Sequence, residues 1–457
     1  MELFFGKRDK LPHASLVCLL RGQVPELTAG SSAYIPPKNK MRWQKIIAGW
    51  QLGAALACAA ELSPVALRVA GQLTNRANGF NLVEGRELAG PQGLAIDASA
   101  TPPHIYVADT LNNRVLGWRD AGNFPTGAVA DLVIGQPDLL GTGPNSPDVS
   151  VGFWSPAGVA VDAAGNLFVA DTNNHRVLRY PRPFDQKNQA PDLVVGQMNF
   201  SSHSRNMGLA DPNSASLAYP VAVALNAQGD LAVSDSVNHR VLIFRAGSLA
   251  ANGPAADVVL GQANFSTSAG GAGPAGISQP GGVAFDGTGR LYVADVTGNR
   301  VLVFSAGAAT GASAVRIIGG NPDGALRGPH TLYRPFGVAA AGDMLLVADT
   351  GNHRVLGFHG LSAAAGAVAA ADFVFGQPDF TSALPNAVSE ARPLASARAL
   401  CSPAQAALGP DRTMFVADAG NNRVLAVPPA GAAYVRAARV LGQAGFTQNA
   451  PNRVDGR

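Results

Sequence analysis

Six aspartate–arginine pairs are the residues of this sequence whose types and spacing could most readily serve chemistry. In each pair the arginine follows the aspartate by five positions, within a pattern close to Val-Ala-Asp-x-x-x-Asn/Gly-x-Arg-Val-Leu. Such carboxylates could serve a catalytic site, but a single active site does not need six equivalent ones. The spacing therefore predicts ion pairs that brace a turn. The pairs are Asp109 and Arg114, Asp171 and Arg176, Asp235 and Arg240, Asp295 and Arg300, Asp349 and Arg354, and Asp418 and Arg423.

The elements that position these pairs are four short β-rich runs, repeated in each of six copies. A Pro-led strand a precedes strand b, which ends at the aspartate. Strand c begins at the arginine, and strand d usually ends in Gly-Gln. Four antiparallel strands per copy predict an all-β, six-bladed β-propeller over residues 66–457, with strand a nearest the axis. Each blade can bury its faces only against its neighbours, so we expect a closed ring.

Strand a has the small residues expected close to a crowded axis. Its fifth residue is alanine in every copy, and its third is glycine, alanine or, once, glutamine. These two positions share one face of a strand. A larger side chain there is expected to overpack the next blade. The positions are Ala95, Ala160, Ala224, Ala284, Ala339 and Ala407, and Gly93, Gly158, Ala222, Gly282, Gly337 and Gln405.

Three copies carry a motif that resembles a known family. Asn174-His175-Arg176-Val177-Leu178 and the matching segments that begin at Asn238 and Asn352 are similar to the motif that names the NHL repeat. The resemblance covers about residues 66–443. It implies a six-bladed propeller of the kind found in bacterial exported proteins, sensor ectodomains and animal scaffold proteins. In the other copies the histidine is replaced by Asn113, Asn299 and Asn422, so we do not expect it to bind a metal.

Propeller enzymes similar to this family suggest two kinds of metal site, and the sequence matches neither. The related amidating lyases hold zinc with histidines at the channel mouth, but only His330 lies near the start of a strand a, and zinc needs at least three ligands. Gluconolactonase-like propellers bind calcium through carboxylates and amides there. No acidic residue directly precedes a strand-a proline; these positions hold Gly90, Ser155, Tyr219, Gln279, Arg334 and Ser402.

The sequence contains few other patterns that indicate catalysis. The sequence has no nucleophile elbow, phosphate loop or paired-carboxylate motif with supporting context. We therefore expect no cofactor and no metal. A metal-dependent lyase or hydrolase with its site in the central channel is kept as the alternative.

The connections from strand d to the next strand a differ between copies and are the expected place for function. About 15 to 26 residues separate the Gly-Gln or Gly-Gly corner from the next proline. Loops this long are usually functional or mobile. They share one side of the disc with the Asp-to-Arg hairpins, and converging polar and aromatic groups there suit a ligand site. The predicted ligand-binding residues are Trp154, Tyr219, Gln279, His330, Tyr333 and Arg334, and His203, Arg205, Glu390 and Arg392 are further unusual residues on this side. We expect a non-catalytic binding or scaffold module for a peptide, glycan or protein.

The N-terminal part predicts export. Residues 41–60 have the layout of a signal peptide: a basic start, an apolar stretch from Ile46 to Ala57 and a small-residue end. Residues 1–40 are then a leader or a mis-called extension. This predicts a periplasmic or extracellular protein that is not integral to the membrane. A lipoprotein anchored at Cys58 is less favoured, because Ala55 stands where leucine is usual. A core helix beside the propeller is the remaining alternative.

Composition argues against a nucleic-acid partner and against an intrachain disulfide in the repeats. The net charge is only +3 over 457 residues, without a basic run, which argues against nucleic acid as a partner. Hydrophobic residues make up 47%, enough for a large core. Of Cys18, Cys58 and Cys401, only the last lies in the repeats, so no intrachain disulfide is expected to staple them.

Seven candidate d strands compete for six places. The extra one spans residues 66–72 and the last spans residues 438–443. Similar segments follow both, at 83–86 and 454–457. Either strand could take the outer edge of the final blade, or a further blade was cut short. The sequence leaves these alternatives open.

Overall fold

The computed structural model of the chain describes residues 83–186, 189–320, 326–360, 370–386, 394–431 and 433–452. These residues form six four-stranded antiparallel sheets, each with its strands side by side in chain order. The predicted all-β, six-bladed propeller is therefore confirmed. The predicted leader (1–40), the signal peptide (41–60) and the extra d strand (66–72) lie outside the described residues.

The strands are short because apolar, β-branched runs are bounded by glycine, proline and asparagine. The first three blades consist of β1 (Leu94–Asp97), β2 (His104–Asp109), β3 (Arg114–Trp118) and β4 (Leu132–Ile134); β5 (Pro156–Val161), β6 (Leu167–Asp171), β7 (Arg176–Tyr180) and β8 (Leu193–Val195); and β9 (Pro220–Leu225), β10 (Leu231–Asp235), β11 (Arg240–Phe244) and β12 (Val258–Leu260).

The last three blades follow the same plan. They consist of β13 (Pro280–Phe285), β14 (Leu291–Asp295), β15 (Arg300–Phe304) and β16 (Arg316–Gly319); β17 (Gly337–Ala341), β18 (Met344–Asp349), β19 (Arg354–Phe358) and β20 (Phe373–Phe375); and β21 (Gln405–Leu408), β22 (Met414–Asp418), β23 (Arg423–Val427) and β26 (Arg439–Leu441). A small hairpin of β24 (Pro429–Ala430) and β25 (Ala433–Tyr434) is inserted before β26.

Short 3-10 helices provide most of the b-to-c turns. They span Thr110–Asn112, Thr172–Asn174, Ser236–Asn238, Thr350–Asn352 and Ala419–Asn421. Two further 3-10 helices, Arg205–Gly208 and Ala246–Ala250, lie outside these hairpins. Among the described residues, no helix is both long and apolar enough to cross a bilayer.

The core lies between the blades. Six clusters of buried apolar side chains each join two neighbouring blades. In one of them Leu94 and Val107 of the first blade pack with Phe415 and Leu441 of the sixth, which closes the ring. This burial between blades supplies the main stabilisation of the propeller.

The innermost strands approach one another as closely as their small residues predict. A Cβ at Gly158 would lie 2.6 Å from the Cα of Ala222 in the next blade, and one at Gly93 would lie 2.3 Å from the carbonyl oxygen of Ala157. Only a residue without a side chain fits between such neighbouring backbones. The close contacts therefore hold each strand a, and with it the mouth of the channel, in a fixed position.

The ring closes within a loop. β26, which lies in the last of the seven candidate d strands (residues 438–443), occupies the outer edge of the sixth blade. The backbone N–H of Asn452 donates to the carbonyl of Leu88 at 3.0 Å, just as that of Asn206 donates to Leu217 at 2.9 Å within a continuous loop. Residues 443–452 and 83–90 thus complete one d-to-a connection from two separate parts of the chain.

Candidate functional site

Each predicted Asp–Arg pair forms an ion pair at the turn between strands b and c. The arginine Nε lies 2.7–2.9 Å from the aspartate Oδ2 in all six blades, and the aspartates are fully buried. The antiparallel register sets this contact, because it places Asp171 directly opposite Arg176, as it does in the other blades.

The aspartate oxygens of these pairs are occupied by scaffold donors. Oδ1 of Asp171 accepts the backbone N–H of Trp154 at 2.8 Å, and Oδ2 accepts Asn174 and Arg176 at 2.8 Å each. Burial raises the pKa of this carboxyl, and the arginine and the hydrogen bonds oppose that shift. A carboxyl enclosed in this way has no access to a substrate, so these pairs form part of the scaffold.

The guanidinium groups hold the long loops on both sides of each blade. Arg240 donates from Nη1 to the carbonyl of Phe265 at 2.5 Å, in the loop that follows its blade. Its Nη2 donates to the carbonyls of Asn213 and Ser216, at 3.0 and 2.9 Å, in the loop that precedes it. The described parts of these loops are therefore anchored, although their length alone suggested mobility.

A second set of scaffold residues was not predicted from the sequence. In the described part of the chain, the glutamine of each Gly-Gln corner bridges two carbonyls; Gln197, for example, donates to His175 at 3.1 Å and to Ser204 at 2.8 Å. The same bridge is made by Gln136, Gln262, Gln377 and Gln443.

Asparagine pairs join four of the loops to a hairpin. Asn238 and Asn206 exchange amide hydrogen bonds at 2.9 and 3.4 Å, and Asn206 has a φ of 49°. Asparagine tolerates this left-handed conformation better than most residues. Asn145, Asn386 and Asn452 play the same loop role towards Asn174, Asn421 and Asn112. The recurring Gly-Gln and the loop asparagines were visible in the sequence, but their partners lie on other segments.

The position occupied by histidine or asparagine connects one blade to the next. All six residues at this position have φ between 52° and 54°. Nδ1 of His175 accepts the backbone N–H of Tyr219 at 3.2 Å, and Oδ1 of Asn113 accepts that of Ser155 at 2.8 Å. Because both side chains place an acceptor at the same point, either histidine or asparagine can occupy this position. His239 differs, since its Nδ1 contacts the carbonyl oxygen of Ser278.

The central channel is narrow where the strands a converge. A cavity of about 20 Å³ remains there, lined in part by Gly93, Gly158, Ala222, Gly282 and Gln405. Such a space holds about one water molecule. Gln405 fills part of it and donates to the carbonyl of Val338 at 3.0 Å. The described residues contain no cluster of three or more His, Cys, Asp or Glu side chains suited to a metal.

Trp154 and Tyr219 are exposed aromatic residues among the predicted ligand-binding residues, and the backbone of each is fixed by a hydrogen bond. Trp154 and Tyr219 have exposed fractions of 43% and 39%. The Tyr219 ring packs edge-on against His175, with ring centroids 4.4 Å apart. Burial, followed by the charges of Arg205 and His203, lowers the pKa of His175 to about 4. The imidazole is therefore neutral at pH 7, as an acceptor must be.

The other predicted residues lie on the same side of the disc in different settings. Arg334 is exposed, and its backbone N–H donates to Oδ1 of Asn299 at 2.8 Å. Gln279 is half-buried, and its N–H donates to Asp295 at 2.9 Å. His330 is exposed, and Tyr333 is half-buried with its ring over Gly351. Glu390 and Arg392 lie outside the described residues.

Comparisons with known proteins find one family model and several solved structures. The NHL repeat model matches residues 153–180, 217–244 and 278–304. A virginiamycin B lyase from Staphylococcus aureus is 12% identical, with a TM-score of 0.42 over 76% of this chain and 84% of that chain. A gluconolactonase from Xanthomonas campestris is 13% identical, with a TM-score of 0.41 over 73% and 84%.

A nidogen/laminin complex is 17% identical, with a TM-score of 0.35 over 59% of this chain and 75% of that chain. A search of curated proteins finds no match. Three matched NHL repeats within a closed ring of six four-stranded blades support the predicted resemblance to the NHL-repeat β-propellers.

Proposed function

We propose that the protein is an exported, non-catalytic binding module that holds a peptide, glycan or protein on its loop face. The loop face is the side of the disc formed by the d-to-a connections and the b-to-c hairpins. Export is proposed from the signal-peptide pattern of residues 41–60.

The distribution of exposed apolar side chains is the observation that carries this proposal. Of the thirteen large apolar residues that are exposed in the described parts of the chain, nine lie on the loop face. They are Leu111, Trp154, Met198, Leu209, Tyr219, Val237, Leu326, Leu384 and Leu394. Exposed apolar groups concentrated on one side of a protein are typical of an interaction surface. Since most of these side chains are aliphatic, they favour a peptide or protein over a glycan.

The anchoring of the loops supports the same function. Arginine, glutamine and asparagine side chains hold the described loop segments to the blades. These segments therefore lose little conformational entropy when a partner binds. An aromatic side chain on a fixed backbone, such as Tyr219, contributes contact area at low entropic cost. The alternative of a metal-dependent lyase or hydrolase predicts about one tightly bound ion per chain, which metal analysis of the purified protein would detect.

A displayed library of random twelve-residue peptides tests the proposal. The immobilised protein should enrich a family of related sequences that contain apolar residues. A variant with Trp154→Ala, Tyr219→Ser and Val237→Asn should lose these peptides, because it removes three exposed apolar side chains. It should keep the fold, because other blades carry the new residues at the same positions.

The matched control carries Val129→Ser, Val315→Ser and Val435→Ser, which removes exposed apolar groups from the c-to-d connections on the opposite side. It should bind the selected peptides as the wild type does. No enrichment, or equal binding by both triple variants, would overturn the proposal.

A further inference from the structure

A cavity lies at the seam where the sixth blade meets the first. Its volume is about 500 Å³, within the range of small-ligand sites. Side chains of both blades and of the seam loop line it, among them Arg86, Glu87, Thr126, Gln443, Gln448 and Asn449. Most of its lining belongs to the seam d-to-a connection, and Thr126 belongs to a c-to-d connection; the exposed apolar residues of the loop face are not part of the lining.

Glu87 is the buried charged group of this cavity. Only 2% of the residue is exposed. Its Oε2 accepts the backbone N–H groups of Glu84 at 2.8 Å and Arg86 at 3.2 Å. Its buried Oε1 has no hydrogen-bond partner among the described residues. Burial raises the pKa of this carboxyl, against the opposing backbone hydrogen bonds. A buried carboxyl oxygen without a donor is costly, so Oε1 needs a donor that the described residues do not supply.

The scaffold does not require a carboxylate at this position. The backbone carbonyl of Glu87 accepts the Arg114 guanidinium at 3.1 Å. The corresponding carbonyls in the other blades accept their own arginines in the same way, and they belong to Gly152, Ser216, Gly276, Thr331 and Ala399. None of these residues has an ionisable side chain. The turn at residues 84–86 uses Oε2 alone, which leaves Oε1 without a donor among the described residues.

We propose that the seam cavity binds a ligand with a guanidinium or ammonium group that donates to Oε1 of Glu87. A cationic donor meets a buried carboxylate with a short, charge-assisted hydrogen bond. The polar side chains of Thr126, Gln448 and Asn449 can contact the remainder of a small ligand. An arginine or lysine side chain of a peptide has this chemistry. The site does not use the exposed apolar residues of the loop face, and either proposal can fail without the other.

Two capped peptides test the proposal. Acetyl-Gly-Arg-Gly-amide and acetyl-Gly-citrulline-Gly-amide have nearly the same shape, but only the arginine is charged. Calorimetric titration at pH 8, which favours the ionised carboxyl, should show the arginine peptide binding about tenfold more tightly. Glu87→Gln should remove this preference. Glu84→Gln removes a nearby charge outside the cavity lining and should leave the preference unchanged.

A second variant keeps the test decisive if Glu87→Gln does not fold. Thr126→Trp places a large side chain at an exposed rim position of the cavity and should block binding while the thermal transition stays near that of the wild type. Equal affinity for the two peptides, no detectable binding of either one, or full binding by both the Glu87→Gln and Thr126→Trp variants would overturn the proposal.

Discussion

Nδ1 of His175 accepts a hydrogen bond from the backbone N–H of Tyr219, 3.2 Å away, and so joins the second blade to the third. The same contact links the fifth blade to the sixth, where Nδ1 of His353 accepts the N–H of Ser402 at 2.9 Å. In these two blades the histidine of the repeat therefore serves as an acceptor between blades. It also supports the backbone of Tyr219, an exposed residue of the loop face.

Replacement of His175 by asparagine should be tolerated. Asparagine occupies this position in three other blades and accepts the same kind of bond, as Asn113 does from Ser155. We expect His175→Asn to change the free energy of unfolding by less than about 1 kcal/mol. His175→Ala should cost about 1–3 kcal/mol, because the Tyr219 N–H loses its acceptor. Urea denaturation at pH 7.5 compares the two, and equal losses would contradict the role of an acceptor.

Stability should depend on the protonation of His175. Its pKa is about 4 in the folded chain, below the ordinary value of 6.5. The unfolded chain thus binds this proton at a higher pH, and the stabilisation present above pH 6.5 is lost as the pH falls towards 4. Over this window the wild type should lose more stability than His175→Asn. Denaturation of both proteins at a series of pH values measures the difference; parallel curves would show that His175 does not contribute.

The buried ion pairs should be needed for folding. Asp171→Ala leaves the Arg176 guanidinium buried without its counter-charge, and we expect it to cost about 3–5 kcal/mol. Asp185→Ala is the matched control, because its pair with Arg182 has both side chains 60% exposed and its loss should leave the free energy of unfolding nearly unchanged. Thermal and urea unfolding give both values. A small effect of Asp171→Ala would show that this ion pair does not stabilise the scaffold.

The crowding around the axis can be tested with one methyl group. Gly158→Ala places a Cβ about 2.6 Å from the Cα of Ala222 and should cost about 1–3 kcal/mol. Gly247→Ala adds the same atom where nothing lies within 4 Å, so it should be close to neutral. The difference in unfolding free energy between the variants measures how closely the innermost strands pack. If both substitutions are neutral, the channel is wider than described.

The sequence predicts those parts of the fold that depend on local spacing. The five-residue separation of Asp171 and Arg176 places them opposite each other in one hairpin, and the small residues of strand a predict its crowding. The loop contacts could not be predicted, because their partners are distant in the chain. Asn112 and Asn452 are 340 positions apart and meet only when the ring closes. Glu87 was not recognised for the same reason, since the seam cavity forms from both ends of the propeller.

The binding face can be located by hydrogen–deuterium exchange with a peptide enriched from the displayed library. With the peptide bound, backbone amides in the d-to-a connections and b-to-c hairpins should exchange more slowly, especially those of residues 198–219 and 236–239 around Tyr219. The c-to-d connections, such as residues 305–315, should exchange at the same rate with and without the peptide. Protection confined to the c-to-d side or to the outer strands would contradict the assignment of the loop face as the binding surface.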